Sequence, residues 1–221
     1  MPGSTSDPLR RSVRFGDLEI AYDDRVLAPR PWTTAQSRWM AEVLHRLPQG
    51  PILELCSGAG HIGLLAAAYT GRDIVLVDAS TAACELAEDN VAANPVSGSV
   101  EVRPARIDEA VAPHERFVGI LADPPWVPSD RTPVFPDDPL SAIDGGPDGL
   151  DLARVCVDVI DHHLASPGAA ILQLGSLEQA QSVVDELASR GSDLEWVDTR
   201  TFGDRGVLLH LARSRPAQDA G

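Results

Sequence analysis

The 221-residue sequence has few of the side chains from which disulfide frameworks and metal sites are built. Its three cysteines, Cys56, Cys84 and Cys156, are an odd number and include no CxxC pair, which argues against both a disulfide framework and a zinc site. The histidines are not spaced with acids or cysteines on one face, as a metal centre would require. We therefore predict no metal site.

Long apolar runs and basic side chains are also scarce. No apolar stretch approaches the thickness of a bilayer, and the N-terminal segment MPGSTSDPLRR lacks the apolar core of a signal peptide, so we predict a cytoplasmic protein without membrane contact. The 18 basic and 33 acidic residues give a net charge of −15, which opposes binding to nucleic acid. The charge favours a protein, peptide or small-molecule partner, whereas the oligomeric state is not indicated.

The length of the chain suits one domain with a sizeable core. Residues 1–12 are polar and contain proline, so we predict a disordered tail there, and residues 216–221 form a second tail. Residues 13–215 are the predicted domain, in which 13–32 suggests a small hairpin or an extended lid. The first helix is expected to follow, with Thr33 or Thr34 as its N-cap.

Strand-like and helix-like segments alternate through the centre of the chain. We expect strands near 52–55, 73–78, 99–103, 117–122 and 169–174, and helices near 34–47, 61–70, 80–93, 149–164 and 177–190. Two further strands, 194–201 and 207–212, are joined by a hairpin turn. The pattern predicts an α/β, Rossmann-like fold: a mostly parallel seven-stranded sheet with a C-terminal antiparallel hairpin and helices on both faces.

The segment Pro51–Gly63 (PILELCSGAGHIG) has the pattern of a buried strand, a glycine-rich turn and the start of a helix. Gly58 and Gly60 have no Cβ, so backbone N–H groups and a helix N-terminus can approach a ligand closely. The next strand ends in Asp78, at the spacing where an acid holds two ribose hydroxyls. The first half of the chain therefore predicts a nucleoside site.

Two nucleoside cofactors fit this site. The residues from Gly58 to Gly63 match the dinucleotide fingerprint G-x-G-x-x-G, but that cofactor brings a pyrophosphate, which the carboxylate of Glu54 would repel. S-adenosylmethionine instead brings an ammonium and a sulfonium group, which the same carboxylate attracts. We therefore predict S-adenosylmethionine as the cofactor, with a dinucleotide-dependent oxidoreductase as the alternative.

The strand near 117–122 runs into Asp123-Pro124-Pro125-Trp126, which we predict to be the catalytic segment. Ligands of open α/β sheets lie beyond the carboxyl ends of the strands, so this segment should face the same crevice as the glycine turn. The prolines lack N–H groups and leave carbonyls free to accept, the aspartate is a further acceptor, and the indole is a flat surface. This combination suits a planar amino group whose nitrogen lone pair is aimed at a methyl donor.

The sequence resembles the HemK-type protein-glutamine N5-methyltransferases, which are class I S-adenosylmethionine-dependent methyltransferases. DPPW is similar to the NPPY motif of that family, Val26–Thr33 (VLAPRPWT) to its V-L-I-P-R-P-E-T, and Asp138–Leu152 (DPLSAIDGGPDGLDL) to its E-P-x-x-A-L-x-G-G-x-D-G-L-D. The resemblance covers residues 26–175. It implies the methyltransferase version of the fold and methyl transfer to a planar amide or amino nitrogen, with a protein glutamine or a related small-molecule amide or amine as first choice.

The resemblance also implies roles for individual residues. Asp123 and Pro124 would hold the target nitrogen, and Pro125 and Trp126 would complete the catalytic segment. The cofactor would contact Thr33, Glu54, Cys56, Ser57, Gly58, Ala59, Gly60, Asp78, Ala79, Arg106, Ile107 and Asp123. The acceptor would contact Arg30, Trp32, Trp126, Gly145 and Gly146, although the loop 145–149 could equally serve packing alone.

The sequence departs from the family pattern at several positions. Asp123 replaces an asparagine, Trp32 replaces a glutamate, and Arg106 replaces an acid near the adenine. We do not expect the helical N-terminal domain that recognises release factors, because only residues 1–33 precede the first predicted helix. Because DPPW also resembles the motif of enzymes that methylate adenine N6, a nucleobase N-methyltransferase is a second alternative, and a non-catalytic cofactor-binding protein is a third.

Overall fold

The computed structural model of the protein describes residues 9–214. The two predicted tails, 1–12 and 216–221, lie outside these residues, apart from residues 9–12. Of those four, Arg11 and Ser12 are not part of a tail, because they already pair with the following strand. The predicted beginning of the ordered chain was therefore too late.

The main sheet of the described residues has seven strands in the order β5-β4-β3-β6-β7-β9-β8, and β9 runs opposite to the other six. This arrangement confirms the predicted α/β fold with its C-terminal antiparallel hairpin. The strands are β3 (Ile52–Leu55), β4 (Ile74–Asp78), β5 (Val100–Pro104), β6 (Phe117–Ala122), β7 (Leu164–Leu174), β8 (Glu195–Thr201) and β9 (Val207–Arg213).

Helices cover both faces of the sheet. They are α1 (Thr34–Leu44), α2 (His61–Thr70), α3 (Thr81–Ala93), α4 (Leu140–Ile143), α5 (Asp151–His163) and α6 (Leu177–Ser189). Apolar side chains of α1, α2 and α3 form the core on one face, and those of α5 and α6 form the core on the other. Burial on both faces explains why the central strands β3 and β6 are apolar almost throughout, apart from Glu54.

Two local predictions were wrong. The strand expected at 169–174 begins at Leu164, because Leu164 already pairs with Phe117 of β6; regular pairing resumes at Ala169 after an irregularity that contains the Pro167-Gly168 pair, which in the sequence suggested a break. The helix α1 has no side-chain N-cap, since Thr33 Oγ1 donates backwards to Arg30 O at 2.8 Å and the helix continues from a 3-10 turn.

The chain opens with an antiparallel hairpin of β1 (Arg11–Phe15) and β2 (Leu18–Tyr22), which packs on α3. Two asparagines of α3 attach it by imitating a neighbouring strand. The Asn90 amide accepts from Ala21 N at 2.8 Å and donates to Ala21 O at 2.9 Å, and Asn94 forms the same pair of bonds with Glu19. The chain that follows the hairpin is thereby directed over the carboxyl edge of the sheet.

Candidate active site

The carboxyl ends of three adjacent parallel strands meet at one edge of the sheet. Leu55 of β3 is paired with Val77 of β4 on one side and with Ala122 of β6 on the other. The next residue of each strand therefore lies at the same level, which brings Cys56, Asp78 and Asp123 together. Because β4 and β6 lie on opposite sides of β3, this edge is the switch point at which α/β folds bind ligands.

The glycine turn between β3 and α2 opens towards this edge. Gly58 has φ +52° and a Cβ at this position would meet no atom within 4 Å, so the backbone borders open space as a ligand cradle requires. Gly60 has another reason to be glycine, because a Cβ there would lie 3.0 Å from Leu76 in the core. Cys56 holds the left-handed φ of +58°, unlike any other non-glycine residue of 9–214, and such strain is typical of functional turns.

A cavity of about 440 Å³ lies over the turn. Predicted site residues in its wall are Arg30, Thr33, Cys56, Ser57, Gly58, Asp78, Ala79, Arg106, Ile107, Asp123 and Pro125. Further wall residues were not predicted: Arg25, Val26, Leu27, Ala28, His61, Ile62, Ser80, Ala83, Asp108, Ser141, Ala142, Leu152 and Val155. Eight of them lay within quoted segments and so had a usable signal: Val26, Leu27 and Ala28 in VLAPRPWT, His61 and Ile62 in PILELCSGAGHIG, and Ser141, Ala142 and Leu152 in DPLSAIDGGPDGLDL.

Three residues predicted to contact the cofactor lie outside the cavity wall. Ala59 and Gly60 are packed beneath the turn, against the core. Glu54 is 1% exposed, and its carboxylate accepts from Gly63 N at 3.0 Å inside α2. Its side chain points to the α2 face because neighbouring residues of a strand alternate between faces. Glu54 therefore supports the start of α2 and does not line the cavity.

The charges in the cavity wall leave two carboxylates without a cation. Arg25 pairs with Asp23 and Glu85, Arg30 with Asp138, and Arg106 with Asp108. Within residues 9–214, no Arg or His forms an ion pair with Asp78 or Asp123. The wall therefore attracts a cationic ligand and disfavours a pyrophosphate, an effect that was predicted for Glu54 and that the structure instead assigns to Asp78 and Asp123.

Burial makes the ionisation of these acids unusual. It raises the pKa of Asp123 to about 7, so this carboxyl group titrates near neutral pH. Burial also raises the pKa of Glu54 well above its ordinary value, and the negative charges of Asp123 and Asp78 add to that effect. A titratable acid of this kind in a cleft is a common mark of a functional site.

Asp78 is oriented by the glycine turn. Its Oδ2 accepts from Gly58 N at 2.8 Å, and its Oδ1 accepts from Ser80 N at 2.9 Å. A carboxylate has about four acceptor positions, so two remain for hydroxyl groups of a ligand. The geometry fits the predicted contact with a ribose.

The catalytic segment Asp123–Trp126 presents free acceptors. In the hydrogen-bond network of residues 9–214, no donor reaches Pro124 O or Pro125 O. The indole of Trp126 lies outside the cavity wall and packs on Gly175, where a Cβ would come within 2.5 Å of its Cε3 atom. Gly175 is thus part of the seat for this ring, which the sequence analysis did not identify.

The loop 145–149 supports the catalytic segment rather than lining the cavity. A Cβ on Gly145 would lie 2.7 Å from Pro125 O, and one on Gly149 would lie 2.3 Å from Trp126 O. Gly145 N also donates to Val127 O at 2.9 Å. The structure therefore places Gly145 and Gly149 against the segment and Gly146 against Asp151, and a substrate contact by Gly145 or Gly146 stays a prediction.

The residues predicted to meet the acceptor at the N-terminal side form a stack. The guanidinium carbon of Arg30 lies 5.7 Å from the ring centre of Trp32, and that of Arg205 lies 4.9 Å from it. Arg30 also holds Asp138 at 2.6 Å, which joins the segment after the hairpin to the loop before α4. Only Arg30 of the predicted pair reaches the cavity wall.

The thiols and histidines give no alternative chemistry. Cys56 and Cys156 approach to 4.0 Å, and this contact together with burial raises the pKa of Cys56 well above its ordinary value, so it is a poor nucleophile. Burial lowers the pKa of His61 to about 4, which keeps its ring neutral. In the part of the chain that the structure describes, no group of His, Cys, Asp or Glu side chains is suited to hold a metal ion.

Comparison with known proteins identifies the family. The family model "Methyltransferase small domain" matches residues 34–134. A release factor glutamine methyltransferase of Deinococcus radiodurans is 31% identical over 92% of this chain and 73% of its own length. The chain belongs to the family of this relative, the glutamine methyltransferases. Membership confirms the predicted class, an S-adenosylmethionine-dependent methyltransferase, and the predicted cofactor, and it sets aside the dinucleotide-dependent oxidoreductase.

Other members of the glutamine methyltransferase family match with similar identity. A release factor glutamine methyltransferase of Gloeobacter violaceus is 30% identical over 80% of this chain, and a ribosomal protein uL3 glutamine methyltransferase of Bordetella pertussis is 29% identical over 85% of it. The chain spans 63% of the length of each of these two relatives.

A solved structure shows the same fold at lower identity. The T. thermophilus 16S rRNA N2 methyltransferase, in complex with AdoMet and guanosine, is 19% identical to this chain and superposes with a TM-score of 0.67. The match covers 97% of this chain and 52% of that one. None of the helices within residues 9–214 combines the length and the apolar character needed to span a membrane.

Proposed function

We propose that the protein methylates the side-chain amide nitrogen of a glutamine in a protein acceptor, with S-adenosylmethionine as the methyl donor. The observation that carries the proposal is Asp123, a partly buried carboxylate without an ionic partner in residues 9–214, in the wall of the cavity over the glycine turn. The relatives named for release factors and for uL3 support a protein glutamine as the acceptor. That acceptor class also fits the cytoplasmic location expected from the sequence.

The donor set of the cavity fits the proposed cofactor. Asp78 retains acceptor positions for ribose hydroxyls, Gly58 offers an open backbone, and the carboxylates of Asp78 and Asp123 provide a negative potential for its ammonium and sulfonium groups. When bound, S-adenosylmethionine supplies a methyl carbon on a positively charged sulfur, which is already a good leaving group. The protein therefore has to supply orientation and electrostatics.

The catalytic segment is suited to orient an amide. The Asp123 carboxylate and a carbonyl of the prolines accept the two hydrogens of the acceptor NH₂ group, which fixes its plane. Holding both hydrogens aims the nitrogen lone pair at the methyl position, and such alignment contributes a large part of the rate. Because the pKa of Asp123 is about 7, its carboxylate is also a suitable base for the proton that the nitrogen loses.

A methylation assay tests the proposal. Purified protein is incubated with radiolabelled S-adenosylmethionine and either a release factor or ribosomal protein uL3, and the modified residue is located by peptide mass spectrometry. We expect one additional methyl group on a glutamine side chain. Replacing Asp123 by alanine should abolish turnover and weaken cofactor binding, measured by calorimetry, far less, because the carboxylate orients the acceptor whereas Asp78 and the glycine turn still hold the cofactor.

Two outcomes would contradict the proposal. Equal losses of binding and turnover in Asp123→Ala would assign Asp123 to structure. Methyl transfer to neither protein, with transfer to RNA or DNA that falls steeply with salt, would favour the nucleobase N-methyltransferase. The aspartate in place of the family's asparagine is the observation that favours this second candidate, whereas the net charge of −15 opposes it.

A further inference from the structure

A buried side-chain amide holds the N-terminal end of the catalytic segment. Gln36 of α1 is 0% exposed, and its Nε2 donates to Ala122 O at 3.0 Å and to Ile171 O at 2.9 Å. Ala122 directly precedes Asp123, so the first bond fixes the peptide group that carries the catalytic aspartate. The second bond ties the same amide to the neighbouring strand β7.

Another side-chain amide, from a helix on the opposite face of the sheet, holds the C-terminal end of the segment. Gln179 of α6 donates from Nε2 to Trp126 O at 3.0 Å and to Asp148 O at 2.9 Å, and its Oε1 accepts from Gly175 N at 2.7 Å. One side chain therefore joins the last residue of the segment, the loop behind it and the turn that seats the indole ring.

The segment between these two amides needs such external support. Pro124 and Pro125 have no N–H groups, so the segment has few donors with which to fix its own backbone. Their carbonyls, in contrast, meet no donor from residues 9–214. The carbonyls of Ala122 and Trp126 are thus held by side-chain amides, Pro125 O faces the loop behind the segment, and Pro124 O is left to accept from an amide.

Burying Gln36 also costs free energy, and packing alone does not explain why this cost is accepted. Its Oε1 is buried and has no hydrogen-bond partner among the described residues. Native structures keep few buried polar atoms in this condition, and each one invites an explanation. The site therefore keeps the Nε2 donor in position even though the Oε1 acceptor is left unsatisfied.

We propose that Gln36 and Gln179 are positioning residues that hold the catalytic segment from both faces of the sheet, so that Asp123 and one proline carbonyl, that of Pro124, meet the acceptor amide in register. The proposal rests on the amide-methylating function proposed above. It assigns neither glutamine a contact with cofactor or acceptor. The two side chains act through the backbone at Ala122 and Trp126.

Gln36→Met and Gln179→Met test the proposal, because methionine keeps the side-chain length and removes the donor. We expect each to lower kcat by about 10- to 100-fold, the effect of a small misplacement of reacting groups. The dissociation constant of S-adenosylmethionine should stay within about twofold, since the glycine turn is untouched. Hydrogen exchange of the peptide that covers 120–127 should become faster in both variants.

Matched controls separate positioning from stability. Ser37→Ala removes a buried bond of the same helix, from Ser37 Oγ to Ile62 O at 2.7 Å, and Gln181→Met changes an exposed glutamine of α6. Both should leave kcat and the exchange of 120–127 as in the wild type. Gln179→Glu, which keeps the acceptor for Gly175 N but loses the donors, covers the case in which a methionine variant does not fold.

The outcomes are distinguishable. If the wild type methylates its acceptor and the two methionine variants match their controls in kcat, the positioning role is wrong. If the wild type methylates no glutamine, the proposed function fails, and hydrogen exchange alone decides whether the two amides hold the segment. Unchanged exchange in the variants would then overturn the inference as well.

Discussion

At the scale of single residues, the most consequential feature is the replacement of a neutral asparagine by Asp123. The replacement puts a titratable group where the family motif has none, and burial raises its pKa from 3.8 to about 7. The reaction proposed here therefore gains a dependence on pH that an NPPY enzyme does not have at this position.

The first prediction concerns the pH profile. We expect kcat/KM for S-adenosylmethionine to rise up to about pH 7 and then level off, because it reports the free enzyme, in which Asp123 must ionise. The pH profile of kcat should have its inflection at a lower pH, because the bound sulfonium cation favours the ionised form of Asp123. Asp123→Asn should retain activity without this titration, and steady-state rates from pH 5 to 9 measure both.

The same titration affects stability with a definite sign. A carboxyl group whose folded pKa lies above its unfolded value favours the folded state at low pH, and this contribution is lost as the pH rises through the folded value. Relative to wild type, Asp123→Asn should therefore become more stable between about pH 4 and 8. Urea unfolding at several pH values measures this; a constant difference would contradict the raised pKa.

The second prediction concerns the seat of the indole. In Gly175→Ala the new Cβ would lie 2.5 Å from Trp126 Cε3 and displace the ring. We expect a fall in kcat of about tenfold or more, with unchanged cofactor affinity, because the ring is assigned to the acceptor. The tryptophan fluorescence of Gly175→Ala should shift, and the shift should be absent when Trp126 is also replaced by phenylalanine, which identifies the moved ring. Unaltered kcat together with a clear shift would exclude the predicted stacking role.

At the scale of elements, the cofactor site depends on how the N-terminal hairpin is attached to α3. Asn90 is 0% exposed, and besides its two bonds to Ala21 it donates to Ala59 O in the glycine turn at 3.0 Å. One side chain therefore connects the hairpin, the helix and the turn. The residues that follow the hairpin, 25–28, form part of the cavity wall.

The third prediction follows from that connection. Asn90→Ala should lower the free energy of unfolding by about 2–3 kcal/mol, since three hydrogen bonds are lost and the backbone groups of Ala21 are left less satisfied. It should also weaken S-adenosylmethionine binding, because the turn loses a support. Asn94→Ala is the control: it loosens the same hairpin without touching Ala59, so its effect on cofactor binding should be smaller.

At the scale of the whole molecule, the cavity is assembled from distant parts of one domain. The ion pair of Arg30 with Asp138 joins the segment after the hairpin to the loop before α4, whose Ser141 and Ala142 line the cavity. A ligand in this cavity contacts elements from both halves of the chain. Its binding should therefore stabilise the whole fold rather than one segment.

The fourth prediction measures this linkage. At a concentration of 100 times its Kd, S-adenosylmethionine should add about 2.7 kcal/mol to the stability. For a domain of this size that corresponds to a rise in Tm of about 5–10 °C. NADH at the same concentration should leave Tm unchanged, because the acids of the cavity repel its pyrophosphate. An equal shift with NADH would count against the assigned cofactor.

The sequence by itself determined the order of elements along the chain at the site. A strand, a glycine turn, a helix and a strand ending in an acid come first, and the strand that is followed by Asp123 comes later. These features are local, since glycine, proline and apolar periodicity act on neighbouring residues. Motif similarity extended the prediction to the cofactor and to just under half of the cavity wall, including Thr33, Ala79 and Ile107.

Only the tertiary structure decided which side chains face the ligand and which support it. Glu54 turns under α2 because residues alternate along a strand, and Gly145 lies behind the catalytic segment because its missing Cβ makes room for Pro125 O. Gln36 and Gln179 reach the segment across 86 and 53 residues of sequence. Contacts of this range depend on how helices pack on the two faces of the sheet, and no local pattern encodes them.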